Sequence, residues 1–93
     1  MLHMVVNTHQ PTDCAFRGDS EDELLRGAFD ALEGASTDAK VELRGAWVNR
    51  AAHEVFILTD APDAHAIERA LLAAGLVGRT HSRILPIVSA DEA

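Results

Sequence analysis

Two stretches of helical periodicity each stand between stretches of β-type residues, and that alternation limits the chain to few folds. The first β-type stretch is Leu2–His9, rich in β-branched residues and closed by Gln10-Pro11. Leu2, Met4, Val6 and Thr8 make its more apolar side, which is expected to pack on helices. His3, Val5, Asn7 and His9 make the other side. A loop over Gln10–Asp19 carries the turn formers Pro11, Asp13, Gly18 and Asp19. Ser20-Glu21-Asp22-Glu23 then has capping-box form, with Ser20 as N-cap and Glu23 reaching back. Leu24, Leu25, Ala28, Phe29 and Leu32 follow at helical spacing, and Gly34 marks the expected end.

A second strand is expected over Lys40–Asn49, with Val41, Leu43 and Trp47 on one face and Glu42, Arg44 and Val48 on the other. Asn49–Ala52 forms a hairpin connection, and His53–Thr59 is apolar on both sides, as a central strand requires. After the turn Asp60–Asp63, a second helix runs over Ala64–Ala74, with Ile67, Leu71 and Ala74 inward, and closes at Gly75. Thr80–Ser89 is the last strand. Pro86 assigns it to a sheet edge, because proline cannot donate to a ladder. The tail, Ala90–Ala93, is expected to fray.

The order β-α-β-β-α-β is that of the ferredoxin-like split β-α-β unit. The fold class is therefore α+β, with a four-stranded antiparallel sheet and two helices on one face. Strand one is expected to neighbour strands three and four, running parallel to strand three and antiparallel to strand four. The second face of the sheet is left open, to meet water or a partner. Residues 1–93 make a single domain with a thin core, for which self-association is a common remedy.

The formal charge of -7 repels phosphate backbones and anionic lipids, so neither nucleic acid nor a membrane is an expected partner. No segment approaches the ~18 apolar residues of a membrane span, and Met1–Val6 lacks the basic residues of a signal peptide. Cys14 is the one cysteine, which excludes an intrachain disulfide and suits the reducing cytoplasm.

No nucleotide loop, nucleophile elbow or paired-cysteine zinc spacing is present. One candidate site remains. Pairing His9 with His81 also pairs Asn7 with Arg83 and Val5 with Leu85, so that apolar and polar sides agree. That register gathers His9, His81, Asn7 and Arg83 on the open face. Cys14 lies a few residues beyond His9, and Thr59 and Asp60 finish at the same end. His3 and His53 are expected together at the other end, where they too could bind metal, although His3 so near the N-terminus also suits a solvated residue; His65 is expected on the surface.

Imidazole and thiolate suit Zn²⁺, Ni²⁺ or Cu²⁺, so His9, His81 and Cys14 are candidate ligands, with Asn7 and Arg83 around them. The plainer alternative is two strand-end histidines bonded to backbone and a solvated thiol. His9 with Asp60 has the makings of an oriented general base, although Asp60 before Ala61-Pro62 also suits a turn. Trp47 would floor an apolar ligand cavity, or else pack in the core or an interface. Arg44 and Arg83 could hold a carboxylate, or pair with Glu42 and Glu54.

The runs Arg44-Gly45-Ala46-Trp47-Val48, Glu54-Val55-Phe56-Ile57-Leu58, Asp60-Ala61-Pro62-Asp63-Ala64 and Ile84-Leu85-Pro86-Ile87-Val88 are apolar and turn patterns. In them the chain resembles small ferredoxin-like families with dimeric α/β-barrel assembly, most of unknown function. One related group is nickel-binding, with a histidine at the end of strand one, which His9 matches. Thr8 and Leu76 stand where that group carries further histidines. The resemblance implies a homodimer and a site for a divalent transition metal at His9. It equally implies, as the alternative, a cofactor-independent enzyme of monooxygenase or isomerase type. That enzyme would act on a small organic molecule, with His9 as base and Trp47 lining the pocket. A dimerisation module without chemistry is the third reading.

Overall fold

The computed structural model describes the backbone of residues 1–10, 20–78 and 80–93, and the side chains of these except 20–26 and 28. The elements are β1 (Leu2–His9), α1 (Ser20–Asp38), β2 (Glu42–Asn49), β3 (Glu54–Asp60), α2 (Ala64–Ala74) and β4 (Thr80–Pro86), with a 3-10 turn at Ala90–Glu92. The sheet order is β2-β3-β1-β4 and every neighbouring pair is antiparallel. This is the expected ferredoxin-like architecture, with β4 on an edge. Among the described residues, no helix is long and apolar enough to cross a membrane.

Three expectations are corrected. First, β3 runs antiparallel to β1, not parallel. The crossover through α1 makes β2 parallel to β1, and the tight β2–β3 hairpin then reverses the chain. Second, α1 continues through Gly34 to Asp38. Ser36, four residues after the core residue Leu32, is 1% exposed, so this last turn still faces inward. One internal glycine weakens a helix by only about 1 kcal/mol, less than such packing recovers. The helix ends instead at Lys40, in the left-handed region at φ 63°, with Val41 N–H donating to Ser36 C=O at 2.7 Å. Gly75 closes α2 in the same way at φ 85°, with Leu76 N–H donating to Leu71 C=O. Third, β2 begins at Glu42 and β4 stops at Pro86, inside the ranges expected.

Which side of β1 faces the helices is also the reverse of the expectation. Val5 lies opposite Ile57 and Ile84, and Ile57 lies opposite Ala46. Val5, Val55 and Ile57 join Leu32, Ile67 and Leu71 in one buried cluster. The inward set of β1 is therefore His3, Val5, Asn7 and His9, all of them buried. Leu2, Met4, Val6 and Thr8 look out across the open face, beside Phe56 and Leu58.

α2 is fixed by local chemistry at both ends. The Asp63 carboxylate accepts from Ala66 N–H at 2.9 Å, and Gly75 supplies the left-handed residue that ends it. Its stripe Ala66, Ile67, Ala70, Leu71 and Ala74 is buried, as the periodicity predicts.

Candidate functional site

The register decides which candidates meet. His81 lies opposite Thr8, and His9 lies opposite Thr80. The expected pairing is thus one residue out of step. In a sheet a one-residue slip moves a side chain to the other face. His9 faces inward, whereas His81 and Arg83 lie on the open side with Thr8 and Val6. Asn7 lies opposite Ser82, not Arg83, and faces inward with His9. Cys14 lies outside the described residues.

His53, which was expected at the far end, is what His9 meets. With β3 antiparallel, the residue before β3 falls beside the end of β1, and His9 N–H donates to His53 C=O at 3.1 Å. The two imidazoles are 5.5 Å apart between ring centres, with planes at 77°. His9 is 5% exposed. Two features of His53 are structurally unfavourable. Its backbone sits in the left-handed region at φ 55°, and its Nδ1 is buried without a hydrogen-bond partner among the described residues.

Asn7 is fully buried beside this pair. Its Nδ2 donates to Thr80 Oγ1 at 2.7 Å and to Ser82 Oγ at 2.9 Å. Thr80 Oγ1 spends its single proton on Leu76 C=O, at 2.8 Å, and so can only accept from Asn7. The amide is thereby oriented, with Nδ2 toward β4 and Oδ1 turned away from it. That Oδ1 is buried and receives no hydrogen bond from a described residue. The His9 end of the helix-covered face thus holds two adjacent imidazoles and an oriented carbonyl with spare acceptor capacity.

Asp60 is absent from this end. It lies opposite Leu2, at the other end of β1, so the His9–Asp60 general base does not form. Asp60 instead pairs with the N-terminal ammonium and with Arg44, whose guanidinium is 2.9 Å away. Arg44 also reaches Glu42 at 3.6 Å, the partner expected for it.

The hydrogen bond from the N-terminal ammonium, then its charge and that of Arg44, hold the Asp60 carboxyl below the usual carboxylate range. A folded-state pKa lowered in this way stabilises the fold above about pH 4, where the unfolded chain is also ionised. The contribution is lost as pH falls through the lower folded value. Acid titrations of wild type and Asp60→Asn should therefore differ above pH 4 and converge below it. Parallel curves across the whole range would remove this role.

Trp47 also stands elsewhere than expected. It lies opposite Phe56 on the open face and is 55% exposed. A cleft of about 740 Å³ opens on the other side of the sheet between α1 and β2, lined by Phe29, Leu32, Leu43, Val48 and Ile57, without Trp47. His81 borders a separate groove of about 430 Å³ at the β4 edge, with Leu72 and Val77. At the opposite end of β1, His3 is 2% exposed, its carbonyl accepts from Thr59 Oγ1 at 3.0 Å, and its Nδ1 is unpartnered among the described residues. His65 is on the surface, 3.5 Å from Glu68.

Sequence reasoning put His53 at the other end of the sheet with His3, and so missed its meeting with His9. The signal was present in the topology: a tight β2–β3 hairpin forces β3 to start where β1 ends. Among the described residues no group of three or more His, Cys, Asp or Glu converges as a metal cage would.

No family model matches the chain. No curated protein matches it either. Among solved structures the chain is similar to SCO4226 from Streptomyces coelicolor A3(2). The match has 22% identity and a TM-score of 0.60, and covers 94% of this chain and 99% of that one. At that identity the likeness carries the fold: a small α+β domain of ferredoxin-like β-α-β-β-α-β order.

Proposed function

We propose that this domain is a small metal-binding protein that takes a divalent transition metal ion, Zn²⁺, Ni²⁺ or Cu²⁺, on His9 and His53. The single observation that carries this is the placement of the two rings. Zn–N bonds of about 2.0–2.1 Å at a tetrahedral angle hold two imidazole centres about 5 Å apart. The 5.5 Å between His9 and His53 is close to that spacing. The oriented Asn7 Oδ1 supports the same reading, as an acceptor for a metal-bound water. Cys14 keeps its place as a further candidate ligand, five residues beyond His9. His81 is no longer in the set, since it stands on the other face. The lone cysteine suits a reducing compartment, and on that ground we place the protein in the cytoplasm.

The test is a titration of metal-depleted protein with Zn²⁺, Ni²⁺ and Cu²⁺, read by calorimetry and by metal analysis after dialysis. Wild type should retain one ion per chain with one of the three metals. His9→Ala should retain none after dialysis, because it removes a direct ligand, and His81→Ala should bind as wild type does. Loss in His81→Ala equal to that in His9→Ala would sink the assignment, as would a wild type that retains none of the three.

A further inference from the structure

The outer edge of β4 carries backbone groups that no described residue answers. Ile87 N–H, just past the strand, donates to Leu2 C=O at 3.1 Å. In an antiparallel ladder, residues that bond the neighbour alternate with residues that face away from it. Leu85, Arg83 and His81 therefore bond β1, and the N–H and C=O of Ser82 and Ile84 point outward. The close approach of Asn7 Nδ2 to Ser82 Oγ, 2.9 Å, fits such a non-bonded pair. Thr80, before this stretch, has its N–H on Leu76 C=O at 3.1 Å, and Pro86, after it, has no N–H. The open edge is thus short and bounded at both ends. Beside it lies the groove of about 430 Å³, walled by Ser82 and Ile84 of β4, Glu68 and Leu72 of α2, and Val77. Leu72 and Val77 are 65% and 59% exposed, so apolar surface stands next to unpaired backbone. On the open side of β4, Arg83 is exposed and makes no ion pair with a described residue.

We propose that the β4 edge takes an extended segment of another protein as an added antiparallel strand, with an acidic residue opposite Arg83 and an aliphatic residue on either side of it. Alternation sets this order. Residues opposite Ser82 and Ile84 exchange backbone hydrogen bonds with them and turn their side chains into the groove. There Leu72, Val77 and Ile84 suit aliphatic groups, and Glu68 disfavours an acid. The residue between them falls in the close, non-bonded pair with Arg83, on the open side, where opposite charges attract. A second β4 does not fit this edge. Centring the pair on Arg83 sets two guanidinium groups opposite each other. Sliding it by one residue brings Thr80 or Pro86 where a free N–H is needed. The chain's own run of the favoured type, Val41-Glu42-Leu43, packs its aliphatic side chains in or against the core. The His9–His53 pair takes no part, so the inference stands apart from metal.

The test is a titration of the full chain with a capped, fluorescein-labelled peptide, Thr-Thr-Val-Glu-Val-Thr-Thr. Salt at about 0.15 M screens the net charge of -7 at long range. Fluorescence anisotropy reads affinity, amide hydrogen exchange by nuclear magnetic resonance reads the place, and circular dichroism verifies folding. Wild type should bind by millimolar peptide, with the Ser82 and Ile84 amides exchanging freely before and protected after. Lysine in place of the peptide's glutamate should weaken binding by about 5-fold to 10-fold, and Arg83→Glu should reverse that preference. Methylating the two valine nitrogens removes the donors to Ser82 and Ile84 C=O and should weaken binding by about 10-fold or more. Absence of binding, indifference to N-methylation, or equal affinity for the two peptides overturns the inference. So does protection on an element other than β4. Protection of Ser82 and Ile84 without peptide, rising with protein concentration, would give the edge to a second copy and overturn it as well.

Discussion

Replacing His53 with glycine is expected to abolish metal uptake while leaving the domain as stable as wild type or up to about 1 kcal/mol more stable. Two penalties meet at this residue. A left-handed backbone costs a side-chain-bearing residue about 1–2 kcal/mol, and glycine adopts it freely. The Nδ1, buried and without a partner among the described residues, adds a desolvation cost that glycine lacks. Against these stands the larger chain entropy of unfolded glycine, about 0.4–1 kcal/mol. His9→Ala should lose metal as well, but it removes a ring that is 5% exposed and should destabilise by about 1–3 kcal/mol. The two variants thus agree in binding and part in stability. Thermal unfolding of the metal-free proteins, beside the same titration, measures both. A His53→Gly variant that loses 2 kcal/mol or more would make His53 a structural residue and remove the reason for reading it as a ligand.

The second large effect lies on β1. Val5→Asp should leave the chain unfolded at 25 °C, and Met4→Asp should fold with a loss of about 1 kcal/mol or less. Val5 is 1% exposed and lies between Ile57 and Ile84 under the two helices, where a carboxylate finds no partner. Domains of this size have only about 5–10 kcal/mol of stability to lose. Met4 is partly exposed on the open face, between Leu58 and Leu85. Urea unfolding followed by circular dichroism distinguishes the two. The reverse order, with Met4→Asp unfolded and Val5→Asp native, would mean that the sheet presents its other side to the helices.

That inversion shows where the sequence was readable and where it was not. In β1 the outward set, Leu2, Met4, Val6 and Thr8, is more apolar than the inward set, His3, Val5, Asn7 and His9. Placing the oilier side in the core therefore gives the wrong answer. The rule assumes that only one face of the sheet is apolar. Here the inward positions at either end of the strand are polar, with only Val5 at the middle of the core, while the open face is itself largely apolar. The His9–His81 pairing followed from the same assumption and fell one residue out of step.

The elements were legible because their signals are local. Asp63 and Gly75 bracket α2, the spacing of Ile67, Leu71 and Ala74 sets its inner stripe, and Pro86 puts β4 on an edge. Each depends on residues within a turn or two, so the order β-α-β-β-α-β and the fold follow from the sequence by itself. The site was not legible, because it depends on strand direction, register and facing, which are settled by contacts between residues far apart in the chain. Val5 reaches Ile57 and Ile84 only when the whole sheet assembles, and the packing of Leu32, Ile67 and Leu71 on that side selects the facing. Once β3 turns antiparallel to β1, His53 stands at His9, Asp60 leaves for the far end, and His81 passes to the other face. The sequence determined which pieces exist; the pairing of β1 with β3 and β4 decided which side chains meet, because a one-residue shift in a sheet exchanges its two faces.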